Sequence, residues 1–317
     1  MDARERLREL SDFAAPWAVW IAATLRLPDH LAAGPLTAAE LAPCAGADPD
    51  ALERLLRYLV ERGVFIEDAG SYANTPISEL LLDESGWRSW FDLDGPPGIW
   101  AESWTRLLPA VRSGSPGRDE GWYYDELART GRGAAFDAAM AVQSERDGAE
   151  IAAADVWDDV DHVVDVGGGT GALLRELLAA RPQLRGTLFD LPQVVAGASP
   201  ADRLAIVAGD LFADPLPHGD VYVLSRVLHG WPDERAAEIL SRCAAAGGET
   251  ARILLVETLL REEGSADHAS FDLFMLTLVG GRERREDDLR RLGETCGLVV
   301  RSVLPLSSGA SLVELGS

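Results

Sequence analysis

The sequence predicts an α/β protein: a mostly parallel sheet covered by helices on both faces over residues 158–317, closed by an antiparallel terminal hairpin and preceded by a mainly helical N-terminal region. Three observations carry that prediction. The run Val163-Val164-Asp165-Val166-Gly167-Gly168-Gly169-Thr170-Gly171 is an apolar strand that breaks into a glycine-rich turn and at once becomes the apolar helix of residues 172–180. Beyond it, strand-like and helix-like segments alternate, as in a sheet whose parallel strands are joined by crossover helices. Ahead of it, a short helix, a longer helix and a hairpin follow one another in winged-helix order.

In chain order, residues 14–27 read as an Ala/Trp/Leu-rich helix stopped by Pro28. Leu36-Thr37 opens a short helix through Ala42, with Thr37 and Glu40 at capping-box spacing. Asp48-Pro49-Asp50 starts the longer helix, which ends at Arg62-Gly63. Residues 64–67 and 71–73 flank Asp68-Ala69-Gly70 as a hairpin. The longer helix carries Glu53, Arg54, Arg57, Glu61 and Arg62, a mixed face and not a basic one, so dimerisation or scaffolding is expected of residues 1–110 ahead of nucleic-acid binding. Residues 85–125 are rich in aromatics and turn formers, expected as core or subunit interface with a few walling an apolar pocket. Residues 111–157 are expected as linking helices and a substrate lid, with a helix over 136–157. Strands are then expected at 162–166, 186–190, 204–208, 220–225 and 252–257, with helices at 171–181, 191–197, 233–245 and 284–295. Residues 301–304 and 311–315 form the closing hairpin.

Composition narrows the partners. A net charge of −23 opposes phosphate backbones and anionic membrane surfaces, which need clustered cations. Cys44, Cys243 and Cys296 are far apart and lack metal-ligand spacing, so no metal is expected and a reducing cytoplasm fits. No uncharged apolar run reaches the roughly 18 residues of a membrane span, and no secretory signal pattern is apparent, so a soluble intracellular protein is expected.

The glycine turn is a nucleotide-type site, because a backbone without side chains permits close approach and the helix N-terminus offers free N–H groups. Its spacing, Gly167-x-Gly169-x-x-Ala172, satisfies the dinucleotide fingerprint and does not by itself choose a cofactor. Asp165 at the strand end favours a sulfonium nucleotide, whose amino acid carries an ammonium, over a pyrophosphate. The mid-chain position and the absence of any lysine, which rules out an active-site Tyr-x-x-x-Lys, also weigh against a nicotinamide enzyme.

In an open parallel sheet the ligand lies outside the carboxyl ends of the strands. There the second strand ends in Asp190, placed to accept from ribose hydroxyls, and the third in Asp210-Leu211-Phe212, an acceptor and apolar neighbours for an adenine. The fourth ends in Ser225-Arg226 and runs into Val227-Leu228-His229-Gly230-Trp231-Pro232-Asp233-Glu234, and the fifth ends in Glu257. Singly, each acid reads equally well as a cap or turn residue. His229 is set apart from the other histidines by following a strand whose end faces the cleft, with Glu257 placed to hold its ring.

These motifs, with Phe189-Asp190-Leu191-Pro192 and Gly280-Gly281-Arg282-Glu283-Arg284, resemble S-adenosylmethionine-dependent O-methyltransferases of the plant caffeate and bacterial polyketide-tailoring type, over essentially the whole chain. The resemblance implies a Rossmann-like class I methyltransferase sheet behind a winged-helix-like dimerisation domain, a homodimer, and S-adenosyl-L-methionine as cofactor. It implies that His229 is the general base, with Glu257 and Glu283 orienting or polarising it. It implies cofactor contacts from Asp165, Gly167, Gly169, Asp190, Leu191, Asp210, Leu211, Phe212, Ser225, Arg226 and Trp231. It also implies that Met140, Trp231, Met275 and Leu276 lie near the substrate, a phenolic or enolic hydroxyl of a small aromatic or polyketide-like molecule. N-methylation, or a reaction of the same fold that transfers no methyl group, is the alternative. Two positions depart from the usual pattern: Gly230 stands where the family has Asp, and Arg285 where threonine is common.

Overall fold

The structure, a computed structural model, describes residues 2–261 and 266–317, apart from the side chains of residues 249, 266 and 267. It parts the chain into two compact units, residues 1–101 and 102–317. The first holds α1 (Ala3–Leu10), α2 (Ala14–Thr24), α3 (Leu27–His30), β1 (Leu36–Thr37), α4 (Ala38–Ala45), α5 (Pro49–Glu61), β2 (Phe65–Asp68), β3 (Ser71–Asn74) and α6 (Pro76–Glu79). Thr37 and Glu40 form the capping box of α4, and Asp48 caps α5 by accepting the Ala51 N–H at 3.0 Å. Leu52, Leu56 and Leu59 then recur at helical spacing on one buried face of α5, packed with Leu27, Leu41 and Phe65.

Two expectations for this unit are corrected. The helix from residue 14 ends at Thr24 rather than 27, because Arg26 takes a left-handed backbone (φ 53°). Pro28 does not stop that helix; it sits in the first turn of α3, where its missing N–H costs nothing. Leu36-Thr37 does open α4, through the Thr37 cap, but the helix runs to Ala45 rather than Ala42 and the same two residues also pair antiparallel with β3, giving a three-stranded sheet in the order β1-β3-β2.

The division falls within α7 (Pro96–Ser103). The second unit continues with α8 (Leu107–Ser113), α9 (Trp122–Thr130), α10 (Gly133–Ala153), β4 (His162–Val166), α11 (Ala172–Ala180), β5 (Arg185–Asp190), α12 (Pro192–Val195), β6 (Leu204–Ala208) and β7 (Val221–Ser225). It ends with α13 (Asp233–Gly247), β8 (Arg252–Glu257), α14 (Ala266–Leu278), α15 (Glu286–Thr295), β9 (Val299–Pro305) and β10 (Ser311–Gly316). The seven strands run β6-β5-β4-β7-β8-β10-β9; the first five are mutually parallel and the terminal hairpin is antiparallel. β7 and β8 read as unbroken apolar runs because both faces of the sheet are covered there: Val221 to Leu224 and Ile253 to Val256 are fully buried. Each such side chain contributes roughly 1.5–3 kcal/mol of burial.

The linking helix spans 133–153 and not 136–157; Trp157 lies beyond it, buried, with its indole N–H donating to the Ile151 carbonyl at 2.7 Å. The last helix starts at Glu286, two residues later than expected at 284, with Arg285 at its cap, and β9 is longer than the expected 301–304. α14 has no counterpart among the helices expected from the sequence. No helix among the described residues is long and apolar enough to cross a membrane.

Candidate active site

Strand order reverses between β4 and β7: β5 and β6 follow on one side of β4, β7 and β8 on the other. At such a switch point the loops leaving the two central strands diverge and open a crevice. The glycine turn leaves β4 there, and the loop with His229 leaves β7.

The glycine turn is shaped by what lies beneath it. A Cβ on Gly168 would stand 2.4 Å from the Asp165 carboxyl carbon, so only glycine lets the turn close over that acid. Gly169 adopts φ 63° with open space where its Cβ would stand. Its N–H donates to Asp190 Oδ2 at 2.8 Å, and Asp190 Oδ1 accepts the Leu191 N–H at 2.7 Å. Asp190 therefore ties the turn to the end of β5, with a lone pair on each oxygen still available to a hydroxyl. Asp165 is 1% exposed and neither of its carboxylate oxygens has a hydrogen-bond partner. Burial, reinforced by the charge of Asp190, pushes it up to about 7. A buried acid without a donor is costly unless something positive arrives beside it, which fits a nucleotide bearing a cation and not a pyrophosphate.

Two further groups, missed in the sequence, lie within reach of the Asp190 charge. Asp137 on α10 is pushed up to about 6 by burial and the Asp190 charge, and Tyr124 on α9 to about 12 by burial, Asp190 and Asp137. Asp210 accepts the Phe212 N–H at 2.7 Å and so forms the turn that sets Phe212, with Leu211 half-buried beside it. The Phe212 ring meets Trp231 edge-on at 4.6 Å, with the Arg235 guanidinium 3.6 Å from its centroid. Arg226 takes a left-handed backbone (φ 55°), and its guanidinium pairs with the buried Asp147 of α10 at 2.6 Å and reaches Ser225 Oγ at 3.5 Å. Such strain in a non-glycine residue clusters at functional sites.

The β7 loop is held by side chains instead. His229 Nδ1 lies 2.9 Å from Glu283 Oε1 and 3.7 Å from Glu257 Oε2. Glu257 was expected to hold the ring; the hydrogen bond comes from Glu283, while Glu257 Oε1 accepts the Leu228 N–H at 2.9 Å and the His229 N–H at 3.4 Å. With Nδ1 donating to a carboxylate, the Nε2 lone pair is the free one, and the side chain keeps 17% exposure. Burial alone pulls the imidazole pKa down, but the charges of Glu257 and Glu283 and the hydrogen bond to Glu283 outweigh it, leaving it above the ordinary 6.5. Glu257 is itself raised, by burial and then by its neighbour Glu283 against the pull of His229.

Gly281 lets residues 280–282 press on this loop: a Cβ there would meet the His229 carbonyl oxygen at 2.1 Å, and the Arg282 N–H donates to that oxygen at 2.9 Å. Gly230 has an ordinary backbone and nothing within 4 Å of a Cβ, so packing does not require glycine in that place.

From His229 an aromatic row leads away along α14. Phe271 lies 5.8 Å from the imidazole, Phe274 5.7 Å from Phe271, and Trp104 stacks on Phe274 at 6.1 Å. On the same helix Met275 is buried and Leu276 half-buried; Met140 is half-buried on α10. The phenylalanines repeat at the three-residue spacing of a helix face, a signal that reads only once the helix itself is recognised. A cavity of about 400 Å³ lined by His162, Arg185, Thr187 and Arg203 lies instead at the opposite, N-terminal ends of β4, β5 and β6, away from the switch point. Among the described residues no cluster of metal-ligating side chains exists.

Residues 126–299 match an O-methyltransferase domain and residues 7–84 an O-methyltransferase dimerisation domain. The chain is similar to the 2,7-dihydroxy-5-methyl-1-naphthoate 7-O-methyltransferase of Streptomyces carzinostaticus, 41% identical over 98% of this chain and 96% of that protein. It is also similar to the aclacinomycin 10-hydroxylase RdmB of Streptomyces purpurascens, 38% identical over 93% and 84%. A solved O-methyltransferase, NcsB1 from neocarzinostatin biosynthesis, in complex with S-adenosylmethionine and 2-hydroxy-5-methyl naphthoic acid, superposes with TM-score 0.90 at 40% identity, covering 98% of both chains.

Proposed function

The chain belongs to the S-adenosylmethionine-dependent O-methyltransferases, and on that premise we propose that it methylates a phenolic or enolic hydroxyl of a small aromatic or polyketide-like molecule, with His229 as general base. The observation that carries the reading is the His229–Glu283 hydrogen bond of 2.9 Å, which leaves Nε2 free beside the aromatic row of Phe271 and Phe274. The naphthoate substrate of the Streptomyces carzinostaticus relative suits such a row.

When bound, S-adenosylmethionine supplies a methyl group activated by its sulfonium. Asp165, Gly167, Gly169, Asp190, Leu191, Asp210, Leu211, Phe212, Ser225, Arg226 and Trp231 are the residues proposed to hold it, Asp165 by countering its positive charge. A phenol has a pKa near 10, so its oxygen is made nucleophilic by handing its proton to His229 Nε2 as it attacks. The imidazolium formed is stabilised by Glu283 at Nδ1 and by the nearby charge of Glu257. The aromatic row, with Met140, Trp231, Met275 and Leu276, would wall the acceptor and exclude water. Residues 111–157 are read as linking helices and substrate lid: Pro116 packs at Gly280, and Glu120 pairs with Arg235 beside Phe212. A homodimer through the N-terminal domain and a cytoplasmic setting, suited to three free cysteines, complete the proposal.

The similarity to a protein named as a hydroxylase favours a second reading, in which a bound cofactor would give up no methyl group. Incubation with S-adenosylmethionine and hydroxynaphthoic acids separates the two. One equivalent of S-adenosylhomocysteine per O-methylated product supports transfer; product lacking a new methyl group, with the cofactor intact, supports the other.

A further inference from the structure

Arg284 stands in the Gly280-to-Arg284 run, yet neither the proton transfer nor the grip on the cofactor uses it. It is 4% exposed, and each of its three guanidinium nitrogens donates a hydrogen bond. Nη1 donates to the Leu228 carbonyl at 2.7 Å, Nη2 to the Trp231 carbonyl at 2.8 Å, and Nε to Asp233 Oδ1 at 3.0 Å. The two carbonyls flank His229-Gly230, and Asp233 opens α13. On the other side of the same loop, Glu257 takes the N–H groups of Leu228 and His229. Arg284 is anchored in turn by its own carbonyl, which accepts the Leu260 N–H at 3.0 Å beyond the end of β8.

Burying a cation costs several kcal/mol unless its geometry is well satisfied. Here a planar fork reaches three acceptors in diverging directions, which a lysine, with its point charge on a flexible stem, cannot reproduce. We propose that Arg284 is a positioning residue: it clamps residues 228–231 so that His229, facing the acceptor, and Trp231, facing the cofactor, are presented in one fixed arrangement. The clamp rests on the reading of His229 as general base. The charge of Arg284 also bears on Glu257, lowering its pKa and so helping to keep it ionised beside the imidazole.

The test is kinetics of Arg284→Lys and Arg284→Met, with active sites counted by calorimetric titration with S-adenosylhomocysteine. Loss of fixed geometry should lower kcat per binding site by about 10²-fold in both variants, with acceptor KM within about threefold of the parent and cofactor affinity weakened by no more than about tenfold, Trp231 being one of several cofactor contacts. In Arg284→Lys the acid limb of kcat/KM should stay in place. In Arg284→Met it should move to lower pH, because a less ionised Glu257 supports the imidazolium less. Parental kcat per binding site in Arg284→Lys would overturn the clamp, as would a loss confined to melting temperature and folded yield. Should neither variant fold, Asp233→Asn decides, since its half-exposed carboxylate anchors the same guanidinium: a several-fold lower kcat supports the clamp and an unchanged one overturns it. Full turnover in His229→Ala would remove the base reading itself; an inactive His229→Ala beside a fully active Arg284→Lys removes the clamp alone.

Discussion

The loops that leave β4 and β7 lie on neighbouring strands and are built by opposite means. The glycine turn is backbone: its shape comes from absent side chains, and its one central charge, Asp165, is buried without a partner. The His229 loop is side chain: Glu257 and Glu283 hold its amides and its ring before any ligand arrives. On the proposed reading, the first is completed by what it binds, whereas the second is complete beforehand and acts. Fixed dipoles and charges cost no reorganisation at the moment of reaction, which favours preassembly on the catalytic side. A site that must take up and release a charged cofactor gains from the reverse arrangement.

The largest effect expected of this contrast falls on turnover. His229→Ala should lower kcat by about 10²- to 10⁴-fold, the usual range for a lost general base, while calorimetry finds cofactor affinity unchanged. Next comes affinity. Asp165→Asn should weaken S-adenosylmethionine binding by about tenfold or more and leave kcat at saturating cofactor close to the parent's, measured by the same titration and assay. Glu283→Gln should sharpen the catalytic side: the acid limb of kcat/KM, expected above pH 6.5 because the two glutamates raise His229, should fall toward 6.5, with about a tenfold loss of rate. A separate effect falls on stability. Asp165 titrates near 7 when folded and near 3.8 when unfolded, so the folded state holds its proton more tightly. Cofactor-free protein should therefore lose stability as pH rises from about 4 to about 7, seen as a falling denaturation midpoint, and Asp165→Asn should flatten that slope.

Much of this contrast was legible in the sequence, for physical reasons. The glycine turn, Asp190 and Glu257 stand at strand ends, and strand ends are readable from apolar runs stopped by glycine or acid. His229 was found the same way. What could not be read were bonds between residues distant in the chain. Glu283 rather than Glu257 holds the ring, across a separation of 54 residues; Asp137 faces Asp190; Asp147 pairs with Arg226. Phe271 and Phe274 were missed for a different reason. α14 is apolar around much of its circumference, so it lacks the one-sided period that marks a surface helix, and without the helix its aromatic face was invisible. At Leu36-Thr37 the helix start was legible from the capping box, but that strong local signal hid the two-residue strand that ends at Thr37.

The central claim, that the two neighbouring loops perform separable tasks, is tested most directly by combining Asp165→Asn with His229→Ala in one protein. Independent sites give additive losses. The account predicts that the double variant binds cofactor as weakly as Asp165→Asn alone and, once saturated, turns over as slowly as His229→Ala alone. Cofactor affinity falling well below that of Asp165→Asn, or turnover below that of His229→Ala, would show that the two loops act as one unit and contradict it.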